Sequence, residues 1–173
     1  MEIKKIHIKE FDKYYDMLEK HFCHEERKTR EKENRAFLNE KFSPNFIFEN
    51  EQVIGYVCYW NFESFVFIEH LAFSEQFRGK GYGTMFCEEF LRNSKKPVIL
   101  EAEIPTDETT IRRIHFYENV GFVVNDYEYF QPSYHCGNDK IPMVVMSNKT
   151  KLNQETLNNF ILTLKKEVYE LEQ

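Results

Sequence analysis

From Phe73 to Phe86 the chain reads Phe-Ser-Glu-Gln-Phe-Arg-Gly-Lys-Gly-Tyr-Gly-Thr-Met-Phe, with glycines at 79, 81 and 83. The apolar run before it, over 65–73, has the character of a buried strand, and Tyr82, Phe86 and Phe90 then recur at helical spacing. Glycines at a strand-to-helix junction let the backbone approach a ligand with its N–H groups exposed, and the positive end of the helix adds to their pull on an anion. Arg78 and Lys80 strengthen that field. The construction suits a phosphate or diphosphate. A Walker loop would require Lys-Ser/Thr after its glycines, and the dinucleotide fingerprint a third glycine one position later. Neither is present.

A second segment, Arg112-Arg113-Ile114-His115-Phe116-Tyr117-Glu118-Asn119-Val120-Gly121-Phe122, places Ile111, Ile114 and Val120 on roughly one helical face, with Gly121 where a left-handed cap belongs. The order Arg-x-x-Gly-x-Gly from Arg78 resembles the acetyl-coenzyme A loop of the GNAT superfamily of N-acetyltransferases. The run from Phe116 to Phe122 resembles that family's Phe-Tyr-Glu-x-x-Gly-Phe signature. The resemblance implies that Arg78, Gly79, Lys80, Gly81, Gly83 and Thr84 hold the diphosphate of acetyl-CoA, and that Tyr117 follows the sulfur as general acid. Many members carry Asn seven residues and Ala four residues before that tyrosine. Thr110 and Arg113 stand there in this chain, so contacts from the helix's first turn do not carry over. The resemblance covers roughly 3–146, with its motifs between 65 and 122.

Acyl transfer to an amine requires a base, a donor for the developing oxyanion, and an acid for the leaving thiolate. Strict alternation along 65–73 puts Glu69 on one face with Phe67 and Leu71, and His70 on the other. A carboxylate on an apolar strand is costly unless paired or functional, and burial raises its pKa toward that of a useful base. Glu69 is therefore the first choice for base. By resemblance, Leu71 and Phe73 lie where the strand splays to receive the acetyl group, with the Leu71 amide as oxyanion donor. Glu101 and Glu103 share a face of the strand 98–104; Glu101 is the rival base and Glu103 a candidate for binding substrate. Each is otherwise a solvated carboxylate or a partner for Arg112 or Arg113. The aromatic and polar stretch 125–136 overhangs the acceptor site by resemblance, offering Tyr129, Gln131 and Tyr134 to the acceptor pocket, or else to packing on the sheet. Cys136 beside His135 lacks a third orienting group, so a covalent nucleophile is rejected.

The elements that must position these residues follow from periodicity. A short strand at 3–8 precedes a helix carrying Phe11, Tyr14, Tyr15, Leu18 and Phe22. The charge-alternating stretch 25–35 reads as a solvated helix face or loop, followed by a weaker helix at 35–38. A hairpin (46–48 with 53–60) leads to the strand 65–73, and a final antiparallel pair begins at 122 and at 141. This element order resembles that of the GNAT fold, and the resemblance implies an α/β (α+β) architecture with a mixed, mostly antiparallel sheet of about seven strands flanked by helices. Its domain spans 1–147. In the extension 148–173, Leu157, Ile161, Leu164, Val168 and Leu171, widened by Phe160, form the stripe of a helix that packs on its own domain or on a dimer partner.

Composition narrows the function classes. The 173 residues include 17 Phe, too many large apolar groups for a disordered chain, and a net charge of -6 argues against a nucleic-acid surface. No run approaches a membrane span, no signal-peptide core opens the chain, and four scattered cysteines suggest neither a metal site nor a disulfide framework. These features point to the cytoplasm. The expected function is acetyl-CoA-dependent N-acetylation of a primary amine on a small molecule or peptide, by direct attack in a ternary complex. A non-catalytic acyl-CoA-binding module acting through a protein partner is the alternative; it needs the glycine loop but neither Glu69 nor Tyr117.

Overall fold

A computed structural model describes residues 1–135 and 140–170. In chain order the elements are β1 (Glu2–Lys5), α1 (Phe11–His21), α2 (Arg30–Ala36), β2 (Phe42–Glu49), β3 (Gln52–Asn61), β4 (Val66–Phe73) and α3 (Tyr82–Asn93). There follow β5 (Val98–Glu103), α4 (Glu108–Asn119), β6 (Phe122–Val124), β7 (Tyr129–Pro132), β8 (Lys140–Asn148) and α5 (Gln154–Glu167). One sheet takes in all eight strands in the order β1-β2-β3-β4-β5-β8, with β6 and β7 both on the far side of β8. Every pairing is antiparallel except β4 with β5. The eighth strand, β7, lies within the stretch whose composition suggested a loop.

Two apolar cores sandwich the sheet. On one face α1 buries Phe11, Tyr14, Tyr15 and Leu18, a spacing of three and four residues, against Phe46, Trp60, Phe65 and Phe67. On the other, Phe86 and Cys87 of α3 and Ile114 of α4 cover Ile54, Val66, Ile68 and Leu100. Side-chain caps start α2 and α4: Asp107 accepts from the amides of Thr109 and Thr110 at the head of α4, and Thr29 from Lys32 at the head of α2. α2 thus begins earlier than the periodicity indicates. The stretch that reads as solvated contributes two buried charges, Lys28 and Glu33.

Strict alternation fails in β4. The register passes from Cys58 opposite His70 to Tyr59 opposite Ile68, leaving Glu69 as the extra residue of a β-bulge. The bulge resets the pleat, so Glu69 and His70 both face the α1 side while Leu71 turns to the α3 side. This corrects two expectations, that Leu71 shares the face of Glu69 and that His70 opposes it.

The apolar stripe of α5 closes the first core. Leu157, Phe160 and Leu164 are buried, and the Phe160 ring meets those of Phe65 and Phe67 at 5.5 and 5.8 Å. Leu162 points to solvent. Phe160→Ala should therefore cost about 3–5 kcal/mol in a denaturant titration, while Leu162→Ala stays within about 0.5 kcal/mol.

Candidate active site

β4 and β5 pair only from Val66 opposite Val98 to Ile68 opposite Leu100. Beyond that point they separate, and a cavity of about 570 Å³ occupies the gap. Ser74 N donates to Ile54 O at 2.9 Å, and antiparallel pairs alternate between bonded and unbonded. Ala72 and His70 thus bond to β3, while the amides of Leu71 and Phe73 point away from it, toward the gap. The Phe73 carbonyl accepts from Arg78 Nε at 3.1 Å, which draws the arginine against the mouth.

After β4, Gly79 and Gly81 take φ values of +72° and +80°, and a Cβ built on either meets nothing within 4 Å. The conformation favours glycine, and the space above it is open. Gly81 is the N-cap of α3 and brings no capping side chain, so the first-turn amides are left for a ligand. Gly83 serves packing: a Cβ there would come within 3.3 Å of Phe116, so its absence lets α3 and α4 lie close. Open backbone, uncapped amides and Arg78 together fit a diphosphate. Thr84 shares the cavity wall, whereas Lys80 lies outside it, its ammonium 5.5 Å from the Phe77 ring centroid.

The carboxylates divide sharply. The side chain of Glu69 is fully buried; it pairs with Lys28 and accepts from Trp60 Nε1 at 2.7 Å and from Tyr134 OH at 2.9 Å. Burial pushes its carboxyl up, but the Lys28 ammonium and the hydrogen bonds outweigh burial and hold it below the usual range. Among the described residues Glu101 has no cation partner. Tyr129 OH donates to one of its oxygens, and Gln131 Nε2 at 3.0 Å and Tyr169 OH at 2.6 Å donate to the other. Burial dominates there and raises it to about 7. Glu103 pairs with Arg113 and is half exposed. Tyr134 and Gln131 line the cavity; Tyr129 stands behind Glu101, packed on Phe160.

Tyr117 lines the same cavity from α4, flanked by Phe116 and Phe122 at 5.2 and 5.7 Å. Burial holds its hydroxyl well above the ordinary value, and it has no hydrogen-bond partner among the described residues. The bulge also turns His70 into the wall. Its Nε2 donates to the Glu26 carbonyl at 2.9 Å, while its buried Nδ1 has no partner among the described residues. Burial keeps the ring neutral. Composition and spacing gave no sign of Lys28, Trp60 or Tyr169 as parts of this site. Cys136 lies outside the described residues.

Residues 5–122 match the model of the Acetyltransferase (GNAT) family. A Bacillus subtilis protein, "Putative acetyltransferase YjbC", is 30% identical over 112 residues, spanning 63% of this chain and 56% of that protein. The chain thus matches little more than half of that relative. A solved structure from Bacteroides thetaiotaomicron, "Putative acetyltransferase from GNAT family", superposes with a TM-score of 0.90 at 30% identity, covering 99% of this chain and 100% of that one. The Escherichia coli ribosomal-protein-S18-alanine N-acetyltransferase shares the fold, with a TM-score of 0.62 at 12% identity over 89% of this chain and 96% of that one.

Two predictions follow from the buried charges. Lys28→Met leaves Glu69 an unpaired buried anion and should cost about 3–5 kcal/mol in denaturant melts, most of it recovered by adding Glu69→Gln. Glu33 and Glu101 hold their protons up to about 7 in the fold against an ordinary 4.5. Their native state binds more protons than the unfolded chain, so their effect is a loss of stability as pH rises from about 4.5 to about 7. Thermal melts across that window should show the decline, and Glu33→Gln should flatten it.

Proposed function

This chain belongs to the GNAT acetyltransferase family, and from that premise we propose that it acetylates a primary amine at the expense of acetyl-CoA, by direct attack in a ternary complex. The observation that carries this reading is convergence. The open glycine loop, the gap-facing amides of Leu71 and Phe73, a carboxyl raised to about 7 and the half-buried Tyr117 all border one cavity.

Acetyl-CoA, when bound, supplies the acetyl group as a reactive thioester. The amides from Gly79 to Thr84, with Arg78, would hold its diphosphate. The Leu71 and Phe73 amides are aimed where negative charge develops during acyl transfer. The base role goes to Glu101 rather than Glu69. A group near 7 accepts a proton at working pH and releases it again, whereas Glu69 is committed to Lys28, Trp60 and Tyr134 and acts as a fixed anion. Tyr117, whose proton burial retains, gives it up at its hydroxyl as the thiolate leaves. Because Glu69 and Glu103 each have a cation, most of the negative charge around the acceptor is already neutralised. A compact amine with one charge suits the cavity better than a polycation.

The test is thiol release from acetyl-CoA across a panel of amines. For the best acceptor, kcat/KM should rise with pH on a limb centred near 7. Glu101→Gln should abolish that limb and lower the rate by about 10²–10⁴. Tyr117→Phe should lower kcat with the affinity for CoA unchanged. Tight CoA binding with no thiol release for any amine would remove the enzymatic reading.

A further inference from the structure

The segment following α5 reaches the centre of the site. Tyr169 lies beyond the family-matched residues 5–122, yet its hydroxyl donates to Glu101 Oε2 at 2.6 Å and accepts from Gln131 Nε2 at 2.9 Å. Val168 N and Tyr169 N both bond to the Leu164 carbonyl at 2.9 Å, fixing the turn that carries the ring. Two ion pairs tie this end down: Lys41 to Glu167 at 2.9 Å and Arg35 to Glu170 at 2.8 Å. The Tyr169 ring is buried against that of Tyr134, 4.9 Å away, and Tyr134 in turn donates to Glu69.

We propose that Tyr169 is a positioning residue for Glu101. With Gln131 it orients one carboxylate oxygen while Tyr129 holds the other, so the C-terminal segment sets the protonation of the group that faces the acceptor. The inference rests on Glu101 being the base, but it concerns the free protein. Among the described residues the ionisable and charged groups around Glu101 are few: Tyr129 from β7, Tyr134 after it, Tyr169 after α5, and Glu69 on β4 with its partner Lys28. Glu103 is next along β5 and is paired with Arg113. Only the donors can stabilise the ionised form here, because the cations are already engaged.

The experiment is a carbon-13 NMR titration of the glutamate side-chain carboxyls in the full chain, without cofactor or acceptor, with Glu101→Gln identifying the signal. In the wild type Glu101 should titrate near 7. In Tyr169→Phe its midpoint should rise by about one pH unit, as loss of a donor to a charged acceptor requires. Tyr127→Phe, which loses only a long 3.4 Å bond to the Leu152 carbonyl, should leave it in place. Should Tyr169→Phe not fold, Gln131→Leu must give the same upward shift. In the wild type itself, the Tyr169 ring carbon bearing the hydroxyl must titrate with the midpoint of Glu101. An unmoved midpoint in Tyr169→Phe, or in Gln131→Leu where it stands in, or a Tyr169 signal blind to that titration, overturns the proposal. Neither reading depends on turnover, so failure of amine acetylation would be a separate result.

Discussion

A carboxylate shut away from water has to find its cation and donors within the protein, and Glu69 draws them from three distant stretches of chain. Lys28 comes from the connection between α1 and α2, Trp60 from β3 and Tyr134 from the segment after β7. The ammonium also lies over the Trp60 and Tyr134 rings, at 5.4 and 5.0 Å, so a strongly hydrated cation is kept in an aromatic setting. Desolvating two ions costs several kcal/mol each unless geometry and extra hydrogen bonds offset it. That requirement holds two otherwise loose connections against the sheet at the point where β4 and β5 part.

Burial pushes both neighbouring carboxyls up, yet their net shifts are opposite, and the difference is one cation. Glu69 has Lys28 and stays ionised; Glu101 has only neutral donors and titrates near 7. Glu33, with a Tyr14 hydroxyl at 2.6 Å and one oxygen unpartnered, follows Glu101. Environments that push similar groups apart in this way let a site hold a permanent charge and a transferable proton side by side.

Much of the architecture could be read before any coordinates. Gly79 and Gly81 announced themselves because the left-handed conformation admits little else, and the helices of Tyr82 and Tyr117 because their apolar positions recur with the right period. What stayed hidden depends on distant partners. Lys28 and Glu33 sit in a run of alternating charges, which marks a solvated face unless one knows that Glu69 and Tyr14 await them. The bulge at Glu69 leaves no local trace, since an apolar strand reads the same with or without an inserted residue, yet it turns His70 and Leu71 to the faces opposite those expected. β7 escaped notice because Tyr129, Gln131 and Pro132 look like loop residues until β8 is there to pair with them. Tyr169 falls outside any stripe because it lies past the end of α5, where helical period no longer applies.

The place of α5 bears on how the molecule is made. β8 fits between β5 and the β6–β7 side of the sheet, and Phe160 covers Phe65, Phe67 and Tyr129 only once the last helix has docked. A nascent chain that has not yet reached Gln154 therefore carries an aromatic surface that nothing already synthesised can cover. The first core must wait for α5 to be made, and until then those uncovered rings are what a chaperone would hold.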